Sequence, residues 1–182
     1  MSSTAATIAE AFKTSVANAK TGQSPYPHWF LDACVPNDCV TEFNTLPFPA
    51  PALDGVSGKR ELHNATRTYF DAENQQRFPS VRAFAEAYQH PDTTQFVKDH
   101  FKTDISGCYL RLEYAQDVDG FWLEPHTDLG VKLFTMLLYL SDGPGHGALG
   151  TDIYDADKGH VGRSPFAPGS AMVFVPSDVT YH

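Results

Sequence analysis

Glu124-Pro125-His126-Thr127-Asp128, then Leu129-Gly130, then Val131-Lys132-Leu133-Phe134-Thr135-Met136-Leu137-Leu138-Tyr139-Leu140: on this stretch the reading of the fold turns. Val131 to Leu140 reads as a long apolar strand buried on both sides. Just upstream, Cys108, Leu110, Leu112 and Tyr114 alternate with Tyr109, Arg111 and Glu113, the two-residue period of a half-buried strand. Downstream, Ala148 to Tyr154 and Ala171 to Val175 read as further strands. They are joined by the Gly-rich run GPGHG at 143–147 and by Pro168-Gly169.

Before about Ser106 the period is helical. Ile8, Phe12 and Val16 recur every fourth residue and form one apolar stripe, stopped near Gly22. Pro25 to Phe30 reads as a turn with aromatic anchors. Asn37 or Asp38 can cap a short helix carrying Val40, Phe43 and Leu46. Pro47 to Gly58 is a Pro/Gly-rich loop. Ser80 can cap a helix with Val81, Phe84 and Tyr88, and Asp92 the next, with Phe96, Val97 and Phe101. Helices first and short strands afterwards give an α+β domain spanning 1–182, a β-sandwich or barrel backed by helices. The helical support covers about 1–104 and the β core about 105–182.

Composition narrows the classes. A chain of 182 residues, 42% hydrophobic, can bury a sizeable core. Thirteen Gly and thirteen Pro favour many turns, as in a β-rich fold. A formal net charge of -9 without a Lys/Arg cluster leaves no footprint for nucleic acid. Cys34, Cys39 and Cys108 are odd in number and scattered, which reads as reduced thiols and not as a disulfide framework. The N-terminal residues lack the apolar core of a signal peptide, and no run approaches about 18 apolar residues. The expectation is a cytoplasmic protein with no membrane partner.

The candidate chemistry lies in His126 and Asp128. One residue between two side chains on a strand puts both on the same face. A second histidine from a distant strand, His182, would complete two histidines and one carboxylate, a set suited to non-haem Fe(II). As a bare pattern, HxD is equally a partly buried His and Asp in a turn. His146 and His160 lie in loops and read as surface residues. A zinc site from His126, Asp128 and His146 is a weaker option. His28, His63, His90 and His100, in or near the helical half, are weaker still.

An ordered series surrounds the pair. Arg111-Leu-Glu-Tyr114 is followed by Gly120-Phe121-Trp122, by His126-Thr-Asp128, and by Thr135-Met-Leu-Leu-Tyr139-Leu140-Ser141. Then come Gly147-Ala148-Leu149-Gly150, the run from Pro168-Gly169 to Pro176, and His182. From Leu110 to His182 this series resembles the Fe(II)- and 2-oxoglutarate-dependent dioxygenases, in particular the prolyl-4-hydroxylase-like branch. The resemblance implies a double-stranded β-helix (jelly-roll, cupin-like) core, with Fe(II) held by His126, Asp128 and His182, and with 2-oxoglutarate and O2 as co-substrates. It implies that Tyr139 donates its hydroxyl to the far carboxylate of 2-oxoglutarate, that Thr135 lies nearby on the same face, and that Tyr114 lines the co-substrate pocket. Read without the family, Tyr139 is a core tyrosine with its hydroxyl at the rim.

One departure matters. The family places an Arg or Lys about ten residues past the second histidine, to pair with that carboxylate. Arg111 is out of phase with Tyr114, which leaves Lys132 and Arg163 as basic candidates. The expectation is that the core lacks its last strand. The resemblance implies a hydroxylase acting on an amino acid, a peptidyl residue or a small metabolite. The loop from Gly55 to Asp71 would flank or cover the barrel mouth. Its polar residues His63, Asn64 and Arg67, with Trp122, are substrate candidates, or a solvated loop. Two other classes stay open: a non-oxidative cupin-like metal protein, and a non-catalytic binding domain of the same fold.

Overall fold

A computed structural model describes residues 3–50, 58, 67–128 and 130–182. The apolar stripe of the N-terminal segment forms helix α1 (Ala5–Ala17), with Ile8, Phe12 and Val16 buried. Thr4 and Thr7 cap it reciprocally: each side chain accepts from the other's backbone N–H. Three further predicted features appear as helices α2 (Asn37–Asn44), α4 (Pro79–Gln89) and α5 (Pro91–Phe101). Their starts differ from expectation. Pro79 and Pro91 take the first helical position, where a missing N–H costs nothing, so Phe78 and His90 become the caps in place of Ser80 and Asp92. Pro36 caps α2 without a side-chain bond. Helix α3 (Ala72–Arg77), capped by the Asp71 carboxylate accepting from the Asn74 N–H, has no buried residue and hence no apolar stripe to reveal it.

The aromatic segment after α1 is a hairpin and not a turn. Strands β1 (Lys20–Gly22) and β2 (His28–Leu31) pair antiparallel, with Ser24–Pro25 cis between them. They join the two core strands β5 (Thr135–Leu138) and β8 (Ala171–Phe174) in a four-stranded antiparallel sheet of order β1-β2-β8-β5. Two smaller antiparallel pairs are β3 (Thr68–Tyr69) with β4 (Glu113–Tyr114), and β6 (Asp152–Tyr154) with β7 (His160–Arg163). The architecture is α+β: five helices and antiparallel sheets, which among the described residues do not close into a barrel.

Two predicted strands are much shorter than their apolar patterns. Of Val131 to Leu140 only Thr135–Leu138 is strand, and Val131 is 82% exposed. Of Cys108 to Tyr114 only Glu113–Tyr114 is strand, and Tyr109 is 98% exposed. A strand needs a partner ladder as well as the right period, and only the far end of each run has one.

Each strand of the main sheet alternates between two environments. Trp29 and Leu31 of β2, Met136 and Leu138 of β5, and Ala171 and Val173 of β8 face the helices. There they join Ile8, Phe12, Phe43, Phe84 and Val97 in the larger core. Phe30, Leu137, Met172 and Phe174 face the opposite way, with Tyr26, Tyr139 and Ile153. Cys34 and Cys39 are buried free thiols in the larger core, and burial pushes both up to about 12; Cys108 is free and exposed. No described helix is long and apolar enough to cross a membrane.

Candidate functional site

The site is built on the face of the main sheet turned away from the helices. Phe174 of β8 stands in register between His28 of β2 and Thr135 of β5. Two members of this row touch candidate ligands. The Thr135 hydroxyl donates to Asp128 Oδ2 at 2.7 Å, and the Phe174 ring lies 4.8 Å from the His182 ring. The third member, His28, is buried and bonded through Nδ1 to the Tyr26 carbonyl oxygen at 2.9 Å.

Backbone pairing brings the two histidines together. The His126 N–H donates to the His182 carbonyl at 3.2 Å, and the His182 N–H returns a bond to the His126 carbonyl at 3.0 Å. This double exchange is that of an antiparallel pair, and it leaves the ring centroids 4.6 Å apart. Each ring is fixed in the same way, by the carbonyl two residues upstream. His126 Nδ1 meets Glu124 O at 3.0 Å, and His182 Nδ1 meets Thr180 O at 3.2 Å. A neutral imidazole that donates from Nδ1 carries its lone pair on Nε2, the nitrogen a metal would take.

The segment carrying His182 is itself pinned. Tyr26 donates its hydroxyl to the Tyr181 carbonyl at 2.9 Å, and the Tyr154 N–H donates to the same oxygen at 3.1 Å. Thr180, buried, closes the preceding turn by accepting from the Ser177 N–H and donating to the Ser177 carbonyl. Burial first, and then the neighbouring His126, hold His182 down to about 4, so it is neutral at pH 7.

Asp128 is the most enclosed of the three candidate ligands, its side chain 1% exposed. Its other oxygen, Oδ1, pairs with Lys132 Nζ at 2.5 Å. Among the described residues no group of three His, Cys, Asp or Glu stands assembled to hold a metal ion. The donor chemistry nonetheless fits Fe(II): two imidazole rings lie 4.6 Å apart, and a buried carboxylate lies within electrostatic reach of His182. Lys132 supplies the positive charge that this carboxylate requires.

Tyr139 continues the same face of β5 and is buried. Its hydroxyl donates to Thr151 Oγ1 at 2.8 Å and lies 2.6 Å from Ser164 Oγ, which also accepts from the Thr151 N–H at 2.9 Å. Gly150 makes this approach possible: a Cβ there would stand 1.8 Å from the Ser164 carbonyl oxygen. Thr151 and Ser164 were invisible as site residues in the sequence, where neither belongs to a motif. Tyr114 is placed elsewhere. Its hydroxyl donates to the Phe43 carbonyl at 3.0 Å and its ring stacks on Phe70, within the helix-side core, so it does not share the face carrying Tyr139.

The substrate candidates divide. His63 and Asn64 lie outside the described residues. Arg67 is engaged by Glu113 in a half-buried ion pair that Arg111 joins at 2.6 Å. Trp122 is 51% exposed and lies over Gly58, where a Cβ would meet its ring at 2.1 Å. Arg163 forks onto Asp152, through Nε at 2.7 Å and a terminal nitrogen at 2.9 Å. His160 also reaches that carboxylate, at 2.8 Å, which ties both residues to the β6–β7 hairpin. His146 lies in a 3₁₀ turn, 3.1 Å from Ser141 Oγ. Of the two basic candidates, Lys132 alone adjoins the candidate ligands. No family model matches the chain, and no curated protein or solved structure matches it either.

Proposed function

We propose that this chain is an Fe(II)- and 2-oxoglutarate-dependent dioxygenase with a double-stranded β-helix core, hydroxylating an unactivated C–H bond of an amino acid, a peptidyl residue or a small metabolite. The observation that carries the reading is the histidine pair: His126 and His182, far apart in sequence, exchange both backbone bonds and anchor both rings through Nδ1. Bound there, Fe(II) with 2-oxoglutarate and O2 would supply the oxidising chemistry. The chain's own residues do the rest. His126 and His182 present Nε2 lone pairs in fixed orientation, and Thr135 holds one oxygen of Asp128. Phe174, Leu137 and Met172 provide an apolar floor that excludes water. The hydroxyls of Tyr139, Thr151 and Ser164 form a polar cluster on the same side, suited to a carboxylate of the co-substrate.

A second reading, a non-oxidative metal protein of cupin-like form, is favoured by the same cluster, because the Tyr139 hydroxyl is already satisfied by Thr151 and Ser164. Anaerobic titration with Fe(II) and 2-oxoglutarate separates the two. The dioxygenase reading expects a weak visible charge-transfer band that disappears in His126→Ala. Iron binding without a band selects the second reading.

A further inference from the structure

Lys132 lies four residues after Asp128, in the connection leading to β5. Its side chain is 20% exposed, and its ammonium reaches the enclosed Asp128 carboxylate. The two oxygens of Asp128 are held differently. Thr135, on a strand, fixes Oδ2 with a neutral hydroxyl, whereas Oδ1 is held by a cation on a flexible four-carbon stem. A carboxylate this deeply buried needs a counter-charge. The ammonium also lies within electrostatic reach of His182.

We propose that Lys132 is an internal counter-ion that a divalent metal must displace from Asp128, and that it thereby sets the affinity of the site for metal. This inference rests on reading His126, Asp128 and His182 as metal ligands. An ammonium and a divalent ion on one enclosed carboxylate repel each other, so the two occupancies compete. The competition penalises ions that depend on the carboxylate, and favours those that draw most of their binding from the two imidazoles.

The test is Mn2+ affinity, read from the electron paramagnetic resonance of the free ion, on the full chain and four variants: Lys132→Met, Lys132→Arg, His126→Ala, and Lys132→Met combined with His126→Ala. Removing a merely structural lysine would weaken binding. Removing a competitor tightens it, by about tenfold or more for a pair this enclosed. Lys132→Arg, which keeps the charge, retains the parent affinity, and both variants lacking His126 lose binding. If the parent binds Mn2+ through His126 but Lys132→Met binds no more tightly, the inference falls and the metal reading stands. If no variant binds, the metal reading fails and takes the inference with it. Should Lys132→Met not fold, amine acylation of the parent followed by mass spectrometry gives the answer. Bound metal should speed labelling of Lys132 severalfold while leaving Lys13 unchanged, and an unchanged Lys132 rate with metal bound overturns the proposal.

Discussion

On the helix side of the main sheet, Leu31, Ala171 and Val173 join Ile8, Phe12 and Phe84 in a core made almost wholly of hydrocarbon. On the other side, the residues between them in the same strands, Phe174 and Thr135 above all, meet His182 and Asp128. The backbone ladder is common to both faces, and one residue of offset separates packing from chemistry. Burial on the first face is mostly apolar, and the hydroxyls it does enclose, those of Tyr88 and Tyr114, are bonded within it. On the second, each buried polar group is tied to a named partner: Asp128 to Thr135 and Lys132, Tyr139 to Thr151 and Ser164, His182 to Thr180. A lesion on the first face should cost stability, and one on the second should cost binding or a specific pH response.

The largest expected effect lies on the helix side. Phe12 is fully buried, with its ring 5.1 Å from Tyr88 and 6.1 Å from Phe96. Phe12→Ala should lower unfolding free energy by about 3–5 kcal/mol in urea denaturation. A loss below about 1 kcal/mol would mean that this face is not the structural core.

Next comes acid sensitivity on the other face. His182 has a folded value of about 4 against an ordinary 6.5, so between these limits the unfolded chain binds a proton that the folded chain refuses. Stability is therefore complete above pH 6.5, falls as the pH drops through that window, and levels below about 4. The total is about 3 kcal/mol. Melting temperatures across pH 4 to 7 should show this slope in the parent and a shallower one in His182→Gln. Equal slopes would place the acid sensitivity elsewhere.

A smaller effect is expected at Tyr139. Tyr139→Phe keeps the ring but strips Thr151 and Ser164 of a shared partner. The expected loss is about 1–2 kcal/mol, with the Phe12 neighbourhood unchanged in near-ultraviolet circular dichroism.

The sequence made the helix face legible because the period of Ile8, Phe12 and Val16, or of Val81, Phe84 and Tyr88, is a direct consequence of burial. Through the ordered motifs of the second half it named Asp128 and His182 as ligands and Thr135 as a co-substrate contact; that the Thr135 hydroxyl reaches Asp128 was not legible in it. It gave no warning of β2, where His-Trp-Phe-Leu is too short a run to show its period. It overextended β5, because an apolar run tells of hydrophobicity and not of a partner strand, and Val131 has none. Tyr114, a co-substrate candidate by resemblance, lies in the helix-side core, because alternation fixes which residues agree in direction but not which side they face. The Lys132–Asp128 pair was latent in the spacing of four, yet on a strand reading those two residues would not have been neighbours.

The most direct test of the account is the nitrogen chemistry of the two histidines, read by long-range 15N–1H correlation spectra of the imidazoles at pH 7 before and after adding Zn2+. The account predicts neutral rings protonated at Nδ1 for both His126 and His182, and a shift of both Nε2 resonances on metal addition. Rings protonated at Nε2, or Nε2 resonances indifferent to Zn2+, would contradict the assignment of this face as a metal centre.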